Sequence, residues 1–176
     1  MIQLETERLL LRAWQKSDAE KYFQINQDAK VMEFLLPVKW EQVPKFIEDM
    51  NIRLQEHDYT FWAVEEKSSG ELMGFCGFQE VLWEAPFTPA IEIGWRLGSQ
   101  YWGKGYATEA AKACIKYAFE TLKWKKIVSF TVPKNIRSQR VMEKIGMHFC
   151  GEFDHLGIAP ENPLRKHIWY EIENKL

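Results

Sequence analysis

The stretch from Glu92 to Ala111 reads EIGWRLGSQYWGKGYATEAA, and it constrains the fold more than any other part of the chain. Ile91, Ile93, Trp95 and Leu97 alternate with Glu92 and Arg96, which makes a strand with one apolar and one polar face. The strand feeds a turn containing Gly103-Lys104-Gly105, and the turn feeds a helix. The small residues Ala107, Ala110, Ala111, Ala113, Cys114 and Ala118 suit that helix to close packing on a sheet. Glycines at such a junction let the backbone approach a ligand and aim its free N–H groups outward. The helix dipole adds about half a positive charge there, so a phosphate or pyrophosphate is the natural guest. A glycine pair alone more commonly marks a tight turn. Two nucleotide-binding loops are excluded: the P-loop spacing GxxxxGK[ST] is missing, and Thr108 stands at the third glycine position of GxGxxG.

Residues 8–14 read as a first strand. Ser17 follows as an N-cap with Glu20 at the capping-box position, opening a short helix toward Gln27. Val43, Phe46, Ile47, Met50 and Leu54 are spaced three and four apart, so residues 40–56 predict an amphipathic helix with Pro44 in its first turn. Residues 59–65 and 72–82 predict strands joined by the Lys67-Ser68-Ser69-Gly70 turn. After the strand at 90–97 come a helix at 106–122, a β-branched strand at 126–132, and a helix at 135–145 that stops at Gly146. Residues 147–153 and 165–173 predict two final strands. The class is α/β, a mixed sheet with helices on both faces in one domain spanning 1–176.

Composition narrows the function. The 176 residues carry 23 basic and 25 acidic side chains, a formal charge of −2, so no global basic field draws the chain onto nucleic acid or anionic lipid. The uncharged run at 72–79 is far shorter than the roughly 20 apolar residues of a membrane span. The N-terminus carries acids early and lacks a signal-peptide pattern, which points to the cytoplasm. Cys76, Cys114 and Cys150 are odd in number and far apart, which predicts three buried thiols in a reducing compartment. His148 and Cys150 are neighbours, but two donors do not make a metal site, and no metal is expected.

Four patterns along nearly the whole chain resemble the GNAT N-acetyltransferase superfamily. Residues 100–107, followed by Thr108-Glu109-Ala110, are similar to its acetyl-CoA-binding motif, and residues 135–147 (NIRSQRVMEKIGM) to its second motif. The opening TERLLLR at 6–12 and the strand sequence beginning at Glu92 are similar to the ribosomal-protein N-terminal alanine acetyltransferases and their relatives. The resemblance implies a GNAT-like acyl-CoA N-acyltransferase fold, with a mostly antiparallel twisted sheet splayed at the cofactor strand. It implies that the backbone at Arg96 and Leu97 holds the pantetheine arm of acetyl-CoA. Trp102, Gly103, Lys104, Gly105, Tyr106 and Ala107 would wrap the pyrophosphate, and Asn135 and Ser138 would touch the cofactor from the later helix. Where many members have a tyrosine that protonates the leaving thiolate, this chain has Met142.

Acyl transfer to an amine needs a neutral nucleophile and a route for the displaced charge. An α-amine with a pKa near 7.8 is on the order of 10% neutral at pH 7, whereas a lysine near 10.4 is neutral well below about 0.1% of the time. Glu92 is the candidate base; the alternative is a strand carboxylate paired with Arg96 or another cation. Ser138 is the candidate donor to the thiolate; the alternative is a hydroxyl that only caps the helix or touches the cofactor. The expected acceptor is a protein or peptide N-terminus, with a small amine such as a polyamine or antibiotic as the alternative. The rival from another class is a non-catalytic acyl-CoA sensor. Phe34-Leu35-Leu36-Pro37 stands where the family often gates substrate entry, Trp40 and Trp83 are candidates for an acceptor groove, and His155 and His167 read as surface histidines. An exposed edge on the final strand would suit a homodimer, and a monomer is the alternative.

Overall fold

A computed structural model of the chain describes residues 2–175. Two short strands, β1 (Leu4–Glu5) and β2 (Leu9–Arg12), lead into helices α1 (Asp18–Ile25) and α2 (Gln42–His57). Strands β3 (Phe61–Glu66), β4 (Leu72–Val81) and β5 (Ala90–Leu97) follow as a meander. Then come α3 (Tyr106–Glu120), β6 (Lys126–Thr131), α4 (Ile136–Lys144), β7 (His148–Asp154) and β8 (Lys166–Glu173). The strands form one eight-stranded sheet in the order β1-β2-β3-β4-β5-β6-β8-β7. Every pairing is antiparallel except β5 with β6, which is parallel because α3 carries the chain back across the sheet.

Period-two alternation sends the strands' apolar residues to two cores. On one face, Trp62, Val64, Met73, Cys76, Phe78, Ile93 and Ile127 pack against Ala110, Ala111, Cys114 and Ala118 of α3 and Met142 of α4. The small side chains of α3 bring its backbone close to the sheet. On the other face, Phe61, Ala63 and Phe75 pack against Tyr22 of α1 and Val43, Ile47 and Met50 of α2. Helices therefore cover both faces, as the patterning indicates. The half of the second face beyond β4 has no helix on it and instead carries Val81, Phe87, Val128 and Phe153, with Trp83 and Trp169 packed against them.

Three local expectations are corrected. Ser17 makes no side-chain capping bond. Asp18 accepts the Gln15 N–H at 2.7 Å instead, and grips the Arg12 guanidinium at 2.8 and 2.9 Å. The final strand is not an edge: β8 lies between β6 and β7, and β7 is the edge. Cys76 and Cys114 are buried, but Cys150 is half-exposed. The strand β1 was not expected from the sequence; two residues are too few to show a period.

Arg12 is 9% and Asp18 5% exposed, and Glu65 adds a second carboxylate at 2.6 Å, so this network ties β2, β3 and α1 together with little water present. Removing one partner strands the other's charge. Asp18→Ala is expected to cost about 3 kcal/mol or more by urea unfolding, while Glu5→Ala, on an exposed pair with Lys67, costs about 0.5 kcal/mol or less.

Candidate active site

β5 and β6 share a single pair in register, Glu92 with Val128, and then diverge. Just past that pair the Ser129 hydroxyl donates to the Ile93 carbonyl at 2.9 Å, a side chain standing in for the next ladder bond. Between the separating strands lies a cleft of about 450 Å³, within the size range of small-molecule sites. The splay expected from the resemblance is present.

The structure brings most of the singled-out residues to this cleft. Glu92, Arg96, Leu97, Trp102, Gly103, Gly105, Tyr106, Ala107, Asn135 and Ser138 line it. Lys104 does not; it is exposed, and its carbonyl accepts from Arg8 Nη1 at 2.9 Å. Gly103 and Gly105 sit at φ +75 and +81, left-handed values that a residue with a Cβ adopts at a cost of about 1–2 kcal/mol. That conformation turns the chain into α3 with its first N–H groups facing outward.

The turn is held from behind. Arg8 donates from Nε to Glu109 Oε2 at 2.7 Å and stacks over the Tyr106 ring at 4.2 Å. Thr6 Oγ1 and the Arg8 backbone N–H both donate to Glu109 Oε1, at 2.6 and 3.0 Å. Burial opposes charge on Glu109, but the Thr6 hydroxyl and the Arg8 donors outweigh it and hold the carboxyl below its usual range. The TERLLLR opening and the glutamate of the turn motif thus form one clasp.

Asn135 caps α4, its side chain accepting the Ser138 N–H at 3.2 Å and donating to Thr131 Oγ1 at 3.0 Å and to Ser138 Oγ at 3.2 Å. Trp102 donates its indole N–H to the Leu97 carbonyl at 2.9 Å, and the Arg137 guanidinium lies 4.4 Å over its ring. Arg137 also pairs with Glu33 at 2.9 Å, and Ser99 donates to Asp28, so the 26–41 connection is strapped beside the cleft. Val31, Phe34 and Leu35 of that connection line the cleft, whereas Leu36 and Pro37, the rest of the stretch where the family often gates entry, do not.

Glu92 is half-buried and makes no ion pair among the described residues. Arg96, the partner weighed for it, instead donates to Asn26 Oδ1 at 2.5 Å and lies over the Phe75 ring. Loss of solvent pushes the Glu92 carboxyl up to about 8, with a smaller opposing effect from Gln79, its cross-strand neighbour. Met142 is 1% exposed and has no proton to give. Tyr101 and Tyr106 also line the cleft, but their hydroxyls donate to Glu71 and Glu66, at 2.9 and 2.5 Å. Ser138 and Thr131 are the hydroxyls left near the diverging strands.

Sequence reading missed Ser129, Thr131 and the cations Lys30, Arg137, Arg140 and Lys144, all of which line the cleft. The three on α4 were findable, since positions 137, 140 and 144 share one helix face. Trp40 and Trp83 do not line it: Trp40 packs on Phe23, and Trp83 stacks among Phe87, Phe130, Phe153 and His155. His167 is buried against Phe130 and Phe153 rather than lying on the surface, and burial lowers the pKa of both His155 and His167.

A mixed sheet opened at its parallel pair, with a glycine turn and a helix N-terminus at the opening, defines a class of cleft-bearing acyltransferase folds. The family model described as "Acetyltransferase (GNAT) domain" matches residues 8–148, and the chain belongs to that family. It is 33% identical over 148 residues to the uncharacterized protein YkkB of Bacillus subtilis, covering 83% of this chain and 85% of that one. It is 31% identical over 151 residues to the uncharacterized N-acetyltransferase YnaD of the same organism, covering 85% of each. The crystal structure of a GNAT-family acetyltransferase from Bacillus anthracis superposes with a TM-score of 0.82 at 29% identity, over 99% of this chain and 100% of that one. The protein is an acetyltransferase, and a purely sensory module is set aside.

The Glu92 carboxyl has a stability consequence. Its proton is held up to about 8 in the folded chain against 4.5 in a solvated one, so between those values the folded state binds more protons than the unfolded. Stability therefore falls as pH rises through that window. Glu92→Gln should match the wild type near pH 4 and exceed it by on the order of 1–3 kcal/mol at pH 9, with solvent in the cleft trimming the gap. Parallel urea-unfolding curves across that range would show that the Glu92 carboxyl keeps its ordinary proton affinity in the folded chain.

Proposed function

We propose that the chain acetylates the α-amine of a protein or peptide N-terminus, taking the acetyl group from acetyl-CoA by direct attack of the amine. The observation that carries this reading is the placement of Glu92, which has no ion pair among the described residues, on the cleft between the diverging strands, where loss of solvent raises its carboxyl to about 8, toward the range of an α-amine. An α-ammonium has a pKa of about 7.8, so proton transfer to Glu92 is nearly balanced; from a lysine near 10.4 it runs uphill by a factor of about 250.

Charge in the cleft supports the same choice. Glu92 is the one acid among its lining residues, facing Lys30, Arg96, Arg137, Arg140 and Lys144. That balance suits a phosphorylated cofactor and opposes a polyamine, whose second ammonium would meet cations. The residues present fit acetyl-CoA, which when bound supplies an activated acetyl thioester. Gly103, Gly105, Tyr106 and Ala107 offer backbone N–H groups and the helix dipole to its pyrophosphate. Arg137, Arg140 and Lys144 offer charge to its remaining phosphate, and the unpaired edge of β5 at Arg96 and Leu97 offers backbone to its arm. Asn135 holds Ser138 beside that arm, where the hydroxyl donates to the departing sulfur. A thiolate of pKa about 8.5 is a fair leaving group, so this donation assists rather than decides. Glu92 holds the amine's proton. Among the described residues no helix is long and apolar enough to cross a membrane.

With a peptide α-amine as acceptor, kcat is expected to rise with pH through about 8. Glu92→Gln should lower kcat by about 100-fold or more and flatten that limb, leaving acetyl-CoA affinity unchanged by calorimetry. Unchanged turnover of the variant across pH 6 to 9 would take Glu92 out of the mechanism, and equal rates on Nα-blocked lysine peptides would overturn the acceptor class. Gly105→Glu is expected to weaken acetyl-CoA binding by about tenfold or more by setting a carboxylate where the pyrophosphate sits. Retained affinity would remove the phosphate cradle.

A further inference from the structure

The edge of the sheet away from the clasp holds a second cluster of chemistry, and none of its residues lines the cleft. His148 of β7 stands directly opposite Glu171 of β8 in the antiparallel register. The next pairs are Phe149 with Tyr170 and Gly151 with Trp169, so Cys150 is the extra residue of a β-bulge with no partner of its own. Bulges re-aim side chains, and this one brings the Cys150 thiol in beside its neighbours. A ring nitrogen of His148, the Cys150 sulfur and a Glu171 carboxylate oxygen all lie within 4.8 Å of one another. The two donors found too few from sequence alone acquire a third from the adjoining strand.

We infer that His148, Cys150 and Glu171 form a site for a borderline divalent cation of the Zn2+ type. Imidazole, thiolate and carboxylate are the donors zinc takes, with one position left for water. A hard cation such as Mg2+ or Ca2+ seeks oxygen donors throughout, so the thiol selects against it. Tetrahedral zinc at bond lengths of about 2.0–2.3 Å sets its donors about 3.3–3.8 Å apart, so donors within 4.8 Å of one another need close by no more than about 1–1.5 Å. His148 is exposed and Cys150 half-exposed, so the cation has an entry path.

One competitor stands in the site. Lys126 of β6 places its ammonium 3.2 Å from Glu171 Oε1, and Glu173 lies opposite Lys126 in the register. Loading is therefore an exchange: the cation accepts lone pairs from sulfur, ring nitrogen and carboxylate oxygen, the thiol releases one proton to solvent, and the Lys126 ammonium leaves Glu171. The bound cation would pin the edge strand β7 to β8.

The test is titration of the full chain with Co2+, read as a thiolate-to-cobalt charge-transfer band. Cys76 and Cys114 are fully buried at 0% exposure with their sulfurs facing each other, so a band from folded protein reports Cys150. The band is expected to saturate at one equivalent, to vanish in Cys150→Ser, and to need about tenfold more Co2+ in His148→Ala or Glu171→Gln. Lys126→Gln should tighten binding. Zn2+ should displace the band and raise the unfolding temperature of the wild type but not of Cys150→Ser. These substitutions lie at a sheet edge outside the cleft, so acetylation rates and the circular dichroism of each variant should stay at wild-type values. No band at excess Co2+, or an equal band in Cys150→Ser, would overturn the site.

Discussion

The whole arrangement depends on one constraint, that β5 and β6 run parallel and pair only at Glu92 and Val128. An antiparallel neighbour could have continued the ladder to the end of β5. A parallel one arrives by way of α3, whose start must sit beyond the end of β5, and the strands separate around it. The Ser129 hydroxyl marks the last point at which β6 reaches across. Past it, β5 offers free backbone to the cleft, and the head of α3 offers its N–H groups to the same space. Glu92 sits at the vertex and loses solvent for that reason.

The cleft is asymmetric in charge and in what holds it. One wall is built from backbone, set by two left-handed glycines and fastened by the Thr6, Arg8 and Glu109 clasp. Its other wall is made of side chains from the connection between α1 and α2, tied by the Asp28 and Glu33 contacts. The first wall tolerates little change, because a lost clasp leaves a half-buried carboxylate without its donors. The second rests on one exposed ion pair and one half-buried hydrogen bond, so it can vary with less effect on the first.

Much of this was legible in the residues. The strand, glycine turn and helix from Glu92 to Ala111 carry their signals locally, and the bounds 90–97 of β5 are the ones the alternation gives. Gly146 at φ +92 ends α4 as its position suggests. What could not be read were relations between distant segments. Nothing near Arg8 points to Glu109, nothing near Arg96 points to Asn26, and nothing near Cys150 points to Glu171, because each partner is chosen by the sheet. The burial of His167 has the same origin: strand alternation gives a residue's face, while only the assembled aromatic layer shows which face is covered. Asp18 displaced Ser17 as the anchor of α1 because a carboxylate that also meets Arg12 outweighs a lone hydroxyl.

The Arg8 to Glu109 clasp spans 101 positions of sequence. A ribosome makes its acidic half only after four strands and two helices have followed its basic half. Closing so long a loop carries an entropic cost that local turns escape, and contacts of this kind give a chain high contact order. The glycine turn at the head of α3 thus closes in the late part of folding, and a nascent chain halted before α3 lacks the clasp that fixes it, however much of its sheet has already formed.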